Sequence, residues 1–365
     1  MVTGRPLMRA DLLAGDREDR RMAPMDERTK RIISIGAATA GVAASAAGVA
    51  AYMNAEELFA LGIRKTFKKN DDKRDRGLLP PKDIVRVTNL AYAADSADEA
   101  DPGCSADSAR AANQSCAVDP EQLLDIYYPV GTQAALPIIV SVHGGAYVYG
   151  DKDLYQFYCM SLAQKGFTVV NFSYRLAPKH KFPDQLNDIN SVMKFVCAHV
   201  GQYFGDLENV FFVGDSAGAQ MASQYLAAVT NPEYADLLGL DIPAFTVRAA
   251  ALNCGMYELD PVREKMLIRC YLGSEKIARS YKMDVLGHMT SAYPPCFIMT
   301  ATADFLRPNA KPLGDYLTRL GVENEVHVYG DEFKPLGHVF HCDVNNPYAK
   351  ECNNDECEFF RRHIG

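Results

Sequence analysis

The chain has 365 residues, 48% of them hydrophobic and 23% charged. That balance excludes a disordered polyelectrolyte, and the length is enough to bury roughly three quarters of the unfolded surface. A net charge of −8 argues for solubility and against a nucleic-acid partner.

The first feature along the chain is residues 32–53, twenty-two positions without a charged side chain, preceded by Arg28-Thr29-Lys30-Arg31. Length and basic flank suit an N-terminal membrane anchor or an uncleaved signal, and membrane association is expected through this run. Its alanine and glycine content makes insertion marginal, so a cytoplasmic chain is the alternative. Small residues also let helices pack closely. Met25 offers a second start with a short basic lead. Residues 56–81 read as a linker helix, and 82–365 as the main domain.

Strands are expected over 84–91 and 123–128. Between them, 93–119 is rich in Ala, Ser and Asp, with six acids against Arg110 alone, which reads as a solvated insertion. Cys104 and Cys116 in it would pair outside the cytosol and stay thiols within it. A buried strand over 136–142 ends in His143-Gly144-Gly145-Ala146, where glycines let backbone N–H groups approach a ligand. Ala146, Tyr147 and Tyr149 are expected to line an acyl pocket. Helices follow over 154–165 and 183–199, around a strand over 167–174.

The apolar run Val210-Phe211-Phe212-Val213 enters Gly214-Asp215-Ser216-Ala217-Gly218. A G-x-S-x-G sequence between a strand and a helix reads as a nucleophile elbow, with the Ser216 hydroxyl presented above the sheet. Asp215 reads as structural. A helix is expected over 217–229 and a strand over 247–253. Residues 256–293 hold Tyr257, Leu267, Tyr271 and Tyr281 at helical spacing, either as a cap over the site or as a crossover helix.

A serine needs a base, and the base needs a carboxylate to hold its tautomer. The strand over 295–303 runs directly into Asp304, the expected acid; Asp331 is the rival. A helix over 310–320 and a strand over 325–329 precede Gly337-His338-Val339-Phe340-His341. His338 is the preferred base, with His341 second. His143 is expected to buttress its loop, His199 and His327 sit inside periodic segments and read as core or surface residues, and His180, His288 and His363 have no supporting pattern. The chain order Ser216, Asp304, His338 is that of an α/β hydrolase. Strands alternating with helices predict an α/β fold: a mostly parallel central sheet, helices on both faces and a small cap segment.

Taken together, His143-Gly144-Gly145, Tyr174-Arg175-Leu176-Ala177-Pro178, Gly214-Asp215-Ser216-Ala217-Gly218, Asp304 and His338-Val339-Phe340 resemble the hormone-sensitive-lipase-like branch of the α/β-hydrolase esterases. The resemblance covers about residues 82–365. It implies a carboxylic ester hydrolase with Ser216 as nucleophile, His338 as base and Asp304 as orienting acid. It further implies oxyanion donors from the backbones of Gly144, Gly145 and Ala217. Ala146 departs from the third glycine of many members, and Asp304-Phe305-Leu306-Arg307-Pro308 departs from a more acidic stretch. Arg175 is expected to brace loops beside the site.

A small or medium uncharged ester is the expected substrate, with no cofactor and no metal. An amidase or peptidase using the same residues, and a silent binding module of the same fold, are the alternatives. Four C-terminal residues, His341, Cys342, Cys352 and Cys357, form a weaker zinc-ligand set.

Overall fold

The computed structural model describes residues 55–93 and 121–365. The 32–53 run and most of the 93–119 insertion, with Cys104 and Cys116, lie outside the described residues. The elements in chain order are α1 (Ala55–Arg74), β1 (Ile84–Ala91), β2 (Leu123–Pro129), β3 (Leu136–Val142), α2 (Lys152–Ala163), β4 (Thr168–Phe172), α3 (Asp184–His199), β5 (Gly205–Asp215) and α4 (Ala217–Thr230). After these come α5 (Pro232–Leu238), β6 (Val247–Asn253), α6 (Lys265–Leu272), α7 (Glu275–Ala278), α8 (Val285–His288), β7 (Cys296–Ala301), α9 (Ala310–Arg319), β8 (Asn324–Tyr329) and α10 (Pro347–Arg362).

The strands form one eight-stranded sheet in the order β1-β2-β4-β3-β5-β6-β7-β8. β2 runs antiparallel to β1 and β4, and every pairing from β4 through β8 is parallel. Period-two alternation divides the buried side chains between two apolar layers. Val210 and Phe212 of β5 face one layer with Ile189 of α3, Met221 of α4 and Leu317 of α9. Phe211 and Val213 face the other, with Leu162 of α2 and Phe359 of α10. The expected mostly parallel sheet with helices on both faces is the observed one.

Two local readings shift. The helix expected over 154–165 begins at Lys152, because the Asp151 carboxylate accepts the Leu154 N–H and caps the first turn. α10 carries no apolar periodicity that would signal it, because its charged composition hides a stripe of Ala349, Cys352, Glu356 and Phe359 on one buried face. Asn346 caps this helix and Pro347 occupies its first turn.

The segment read as a linker carries α1, and this helix is docked on the domain. Arg64 Nε donates to the Val148 carbonyl at 2.8 Å, and Glu56 accepts from Lys181 Nζ at 2.6 Å. Residues 256–293 fold into the short helices α6, α7 and α8, and no helix among the described residues is long and apolar enough to cross a membrane.

Candidate active site

β5 delivers Ser216 at its carboxyl end and α4 begins at the next residue. Ser216 holds φ 53° and ψ −117°, a backbone state that a non-glycine residue keeps only when its surroundings impose it. The two glycines of the motif are required by close approach. A Cβ on Gly218 would sit 2.1 Å from the Val142 carbonyl oxygen, and one on Gly214 would sit 2.7 Å from that of Gly218. The crossing of β3 and α4 thus leaves room for backbone alone.

Three loops beyond the carboxyl ends of β5, β7 and β8 bring the expected residues together. His338 Nε2 lies 3.0 Å from Ser216 Oγ, and His338 Nδ1 lies 2.7 Å from Asp304 Oδ1. Asp304 also accepts the Leu306 N–H and the Thr300 hydroxyl, each at 2.9 Å. Burial pushes the Asp304 carboxyl up, but hydrogen bonding and the charge of His338 outweigh it and hold the group below its ordinary value. An ionised carboxylate at Nδ1 leaves Nε2 free to accept a proton from the serine.

The rivals take other positions. Asp331 accepts the N–H groups of Phe333 and Lys334, closing its own loop. His341 is fully buried with its ring edge-on to Tyr158, and burial drives its imidazole down to about 3. His143 is likewise buried, stacked on Tyr174 at 4.0 Å, and pushed down by burial to about 4. Arg175 is bonded through its guanidinium to Asp188 of α3 at 2.8 Å.

The oxyanion loop corrects one expectation. Gly144 donates its N–H to Tyr155 Oη at 3.1 Å, and the phenol in turn donates to Asp215 Oδ2 at 2.8 Å. Its amide is therefore engaged within the protein. Gly145 (φ 124°) and Ala146 (φ 53°) follow with amides that have no acceptor among the described residues. Ala217, first residue of α4, has its N–H in the helical turn that lacks intrahelical acceptors. The available set is thus Gly145, Ala146 and Ala217. Gly145 is required here, since a Cβ on it would fall 1.9 Å from the Tyr149 carbonyl oxygen.

Tyr147 also departs from expectation. It is fully buried, stacked on Tyr271 at 3.8 Å, and bonded through its hydroxyl to Gln220 Oε1 at 3.1 Å. It joins the 256–293 segment to the oxyanion loop from behind and does not line an open pocket. Tyr149 donates to Asp71 of α1 at 2.8 Å and meets Phe67 edge-on, while Ala146 is partly exposed. Two surface cavities, of about 510 and 380 Å³, include none of these residues.

For metals, the described residues place ligand atoms of Cys254, Asp304 and His338 within 4.8 Å of one another, and His341 with Cys342, Cys352 and Cys357 forms no such group. The 2.7 Å contact joins two members of the first group as a hydrogen-bonded pair, which is the relay already described.

Comparison with known proteins bears on this arrangement. A family model described as alpha/beta hydrolase fold matches residues 139–342. The probable isoprenylcysteine alpha-carbonyl methylesterase ICMEL1 of Arabidopsis thaliana is 26% identical over 226 residues, 58% of this chain and 48% of its own length. Esterase LipI of Mycobacterium tuberculosis is 29% identical over 213 residues, 55% of this chain and 67% of its own length. The chain spans about half the length of the first of these relatives. Among solved structures, esterase B from Lactobacillus rhamnosis superposes with a TM-score of 0.69 at 24% identity, over 86% of this chain and 97% of that one. With more than half its length matched, and the strand–elbow–helix crossing in place, this chain belongs to the alpha/beta hydrolase fold family.

Proposed function

We propose that the chain is a serine carboxylic-ester hydrolase. One observation carries the reading: the continuous relay from Ser216 Oγ through His338 to Asp304, with contacts of 3.0 and 2.7 Å. Ser216 Oγ attacks the ester carbonyl while His338 Nε2 takes its proton. The developing oxyanion accepts from the amides of Gly145, Ala146 and Ala217. His338 then protonates the leaving alcohol, and water repeats the sequence on the acyl-enzyme. Each oxyanion donor contributes on the order of 10²–10³ in rate, because it is fixed before the charge develops.

The substrate class in this reading is a small or medium uncharged ester, supported by relatives and neighbours named as esterases. The test is hydrolysis of p-nitrophenyl esters from acetate to laurate by the full chain, with Ser216→Ala alongside. Turnover lost in the variant is the expected result. Turnover near wild type in it would sink the assignment, and a folded protein inert to every ester would move the reading to the peptidase or binding alternatives.

The charge-free run at 32–53 leads us to infer anchoring or export through the N-terminal segment. Recovery of the full chain in the cytosolic fraction after cell fractionation would remove that inference.

A further inference from the structure

Glu356 on α10 is fully buried, and no step of the proposed reaction uses it. Its Oε1 accepts from Tyr158 Oη at 2.8 Å and its Oε2 from Asn253 Nδ2 at 2.7 Å. Asn253 is the last residue of β6, and its backbone carbonyl accepts the Ser216 N–H at 3.0 Å. Three residues on, the Met256 N–H donates back to the Ser216 carbonyl at 3.3 Å. The strained backbone of Ser216 is thus held from both sides by the chain that leaves β6, and Glu356 grips that chain at its root.

We propose that Glu356 is a positioning residue for the nucleophile: through Asn253 its carboxylate fixes the exit of β6, and with it the backbone of Ser216. The proposal rests on Ser216 being the nucleophile. The ionised carboxylate is the working form, because it accepts from both donors at once. A protonated carboxyl carries a donor of its own and can no longer accept fully from both neighbours; the Asn253 amide can turn its Oδ1, which has no other partner, to meet it. That turn loosens the exit of β6.

The groups facing Glu356 set where this change falls. Tyr158 and Cys159 of α2, Cys352 and Cys357 of α10, and Tyr329 of β8 are hydroxyls and thiols that burial keeps neutral. Asp215 at the elbow pushes Glu356 up and Lys165 after α2 pulls it down. Burial is the largest influence, and the group stands at about 7.

The test uses the full chain, p-nitrophenyl butyrate as substrate and an organophosphonate as label, with Ser216→Ala as control. In Glu356→Gln, kcat is expected to fall about tenfold with KM within about twofold, since displacement of a reacting group costs rate more than binding. Phosphonate labelling should slow by the same factor. Tyr158→Phe removes one donor to the carboxylate and leaves Asn253 in place, so the acid limb of kcat should move to higher pH. Tyr158→Phe decides the matter if Glu356→Gln does not fold. Wild-type kcat and an unmoved limb, or a change in KM alone, would overturn the positioning role. Turnover surviving in Ser216→Ala would overturn the reading beneath it instead.

Discussion

The loop after β7 and the helix α10 each bury a carboxylate, and the two are shifted in opposite directions. Asp304 meets an imidazole that can carry charge, together with a backbone N–H, and these outweigh burial to hold it below its ordinary value. Glu356 meets a phenol and an amide, both neutral, and burial lifts it to about 7. At Glu356 the neutral hydrogen bonds soften desolvation without reversing it, whereas at Asp304 the imidazole and the Leu306 N–H together reverse it. A group kept ionised can steady an imidazolium during turnover. One poised near neutrality links the support of Ser216 to pH.

The largest blow to this contrast is at its ionised member. Asp304→Asn keeps the shape and replaces the acceptor, so the imidazole is held in the wrong tautomer; kcat should fall on the order of 10⁴-fold, read by steady-state ester hydrolysis. Retention of a tenth of the activity would mean that another group orients His338.

Next in size is the frame shared by both regions. Gly218→Ala places a Cβ 2.1 Å from the Val142 carbonyl oxygen, which is backbone and cannot yield. A loss of several kcal/mol in urea unfolding is expected, in the range of the more severe overpacking changes. An unchanged midpoint would show that β3 and α4 can part.

The contrast is sharpened at its second member by pH dependence. Glu356 stands at about 7 in the fold against an ordinary 4.5, so the folded state holds the extra proton and this contribution to stability falls as pH rises through that window. His341 and His143, driven down to about 3 and about 4, act in the other direction: their contribution is lost as pH falls below the ordinary 6.5. Glu356→Gln removes only the first effect. Its stability should therefore climb more steeply than wild type between pH 4.5 and 7, by on the order of 3 kcal/mol in unfolding free energy across the window. Parallel curves for the two proteins would show that Glu356 does not titrate there.

The smallest effect is expected outside both regions. Tyr149→Phe removes the bond to Asp71 that ties α1 to the oxyanion loop, at a cost of about 1 kcal/mol by thermal unfolding. A larger loss would mean that α1 holds the loop in shape.

Much of the site was legible because its signals are local. The apolar run before Gly214, the two glycines flanking Ser216 and the placement of Asp304 at a strand end each follow from a few neighbouring residues. Tyr147 is the opposite case: proximity to the oxyanion loop in sequence suggests a pocket wall, but Tyr271, over a hundred residues later, covers its ring. α10 is not legible in the sequence because Glu356 and Asn353 occupy buried faces where apolar residues are the usual sign.

By itself, then, the sequence determined the strand and helix alternation, the parallel sheet it implies, the elbow at Ser216 and the order of acid and base. These rest on periods of two and 3.6 residues and on motifs spanning five, all within reach of local sterics. Only the tertiary structure decided which amides remain for an oxyanion and what supports the nucleophile. The Tyr155–Asp215, Asn253–Glu356 and Tyr158–Glu356 contacts join residues 60, 103 and 198 positions apart. No pattern along the chain carries such pairings. They are imposed when the sheet brings α2, the elbow and α10 into one buried layer, where every polar group must find a partner or stand at a cost.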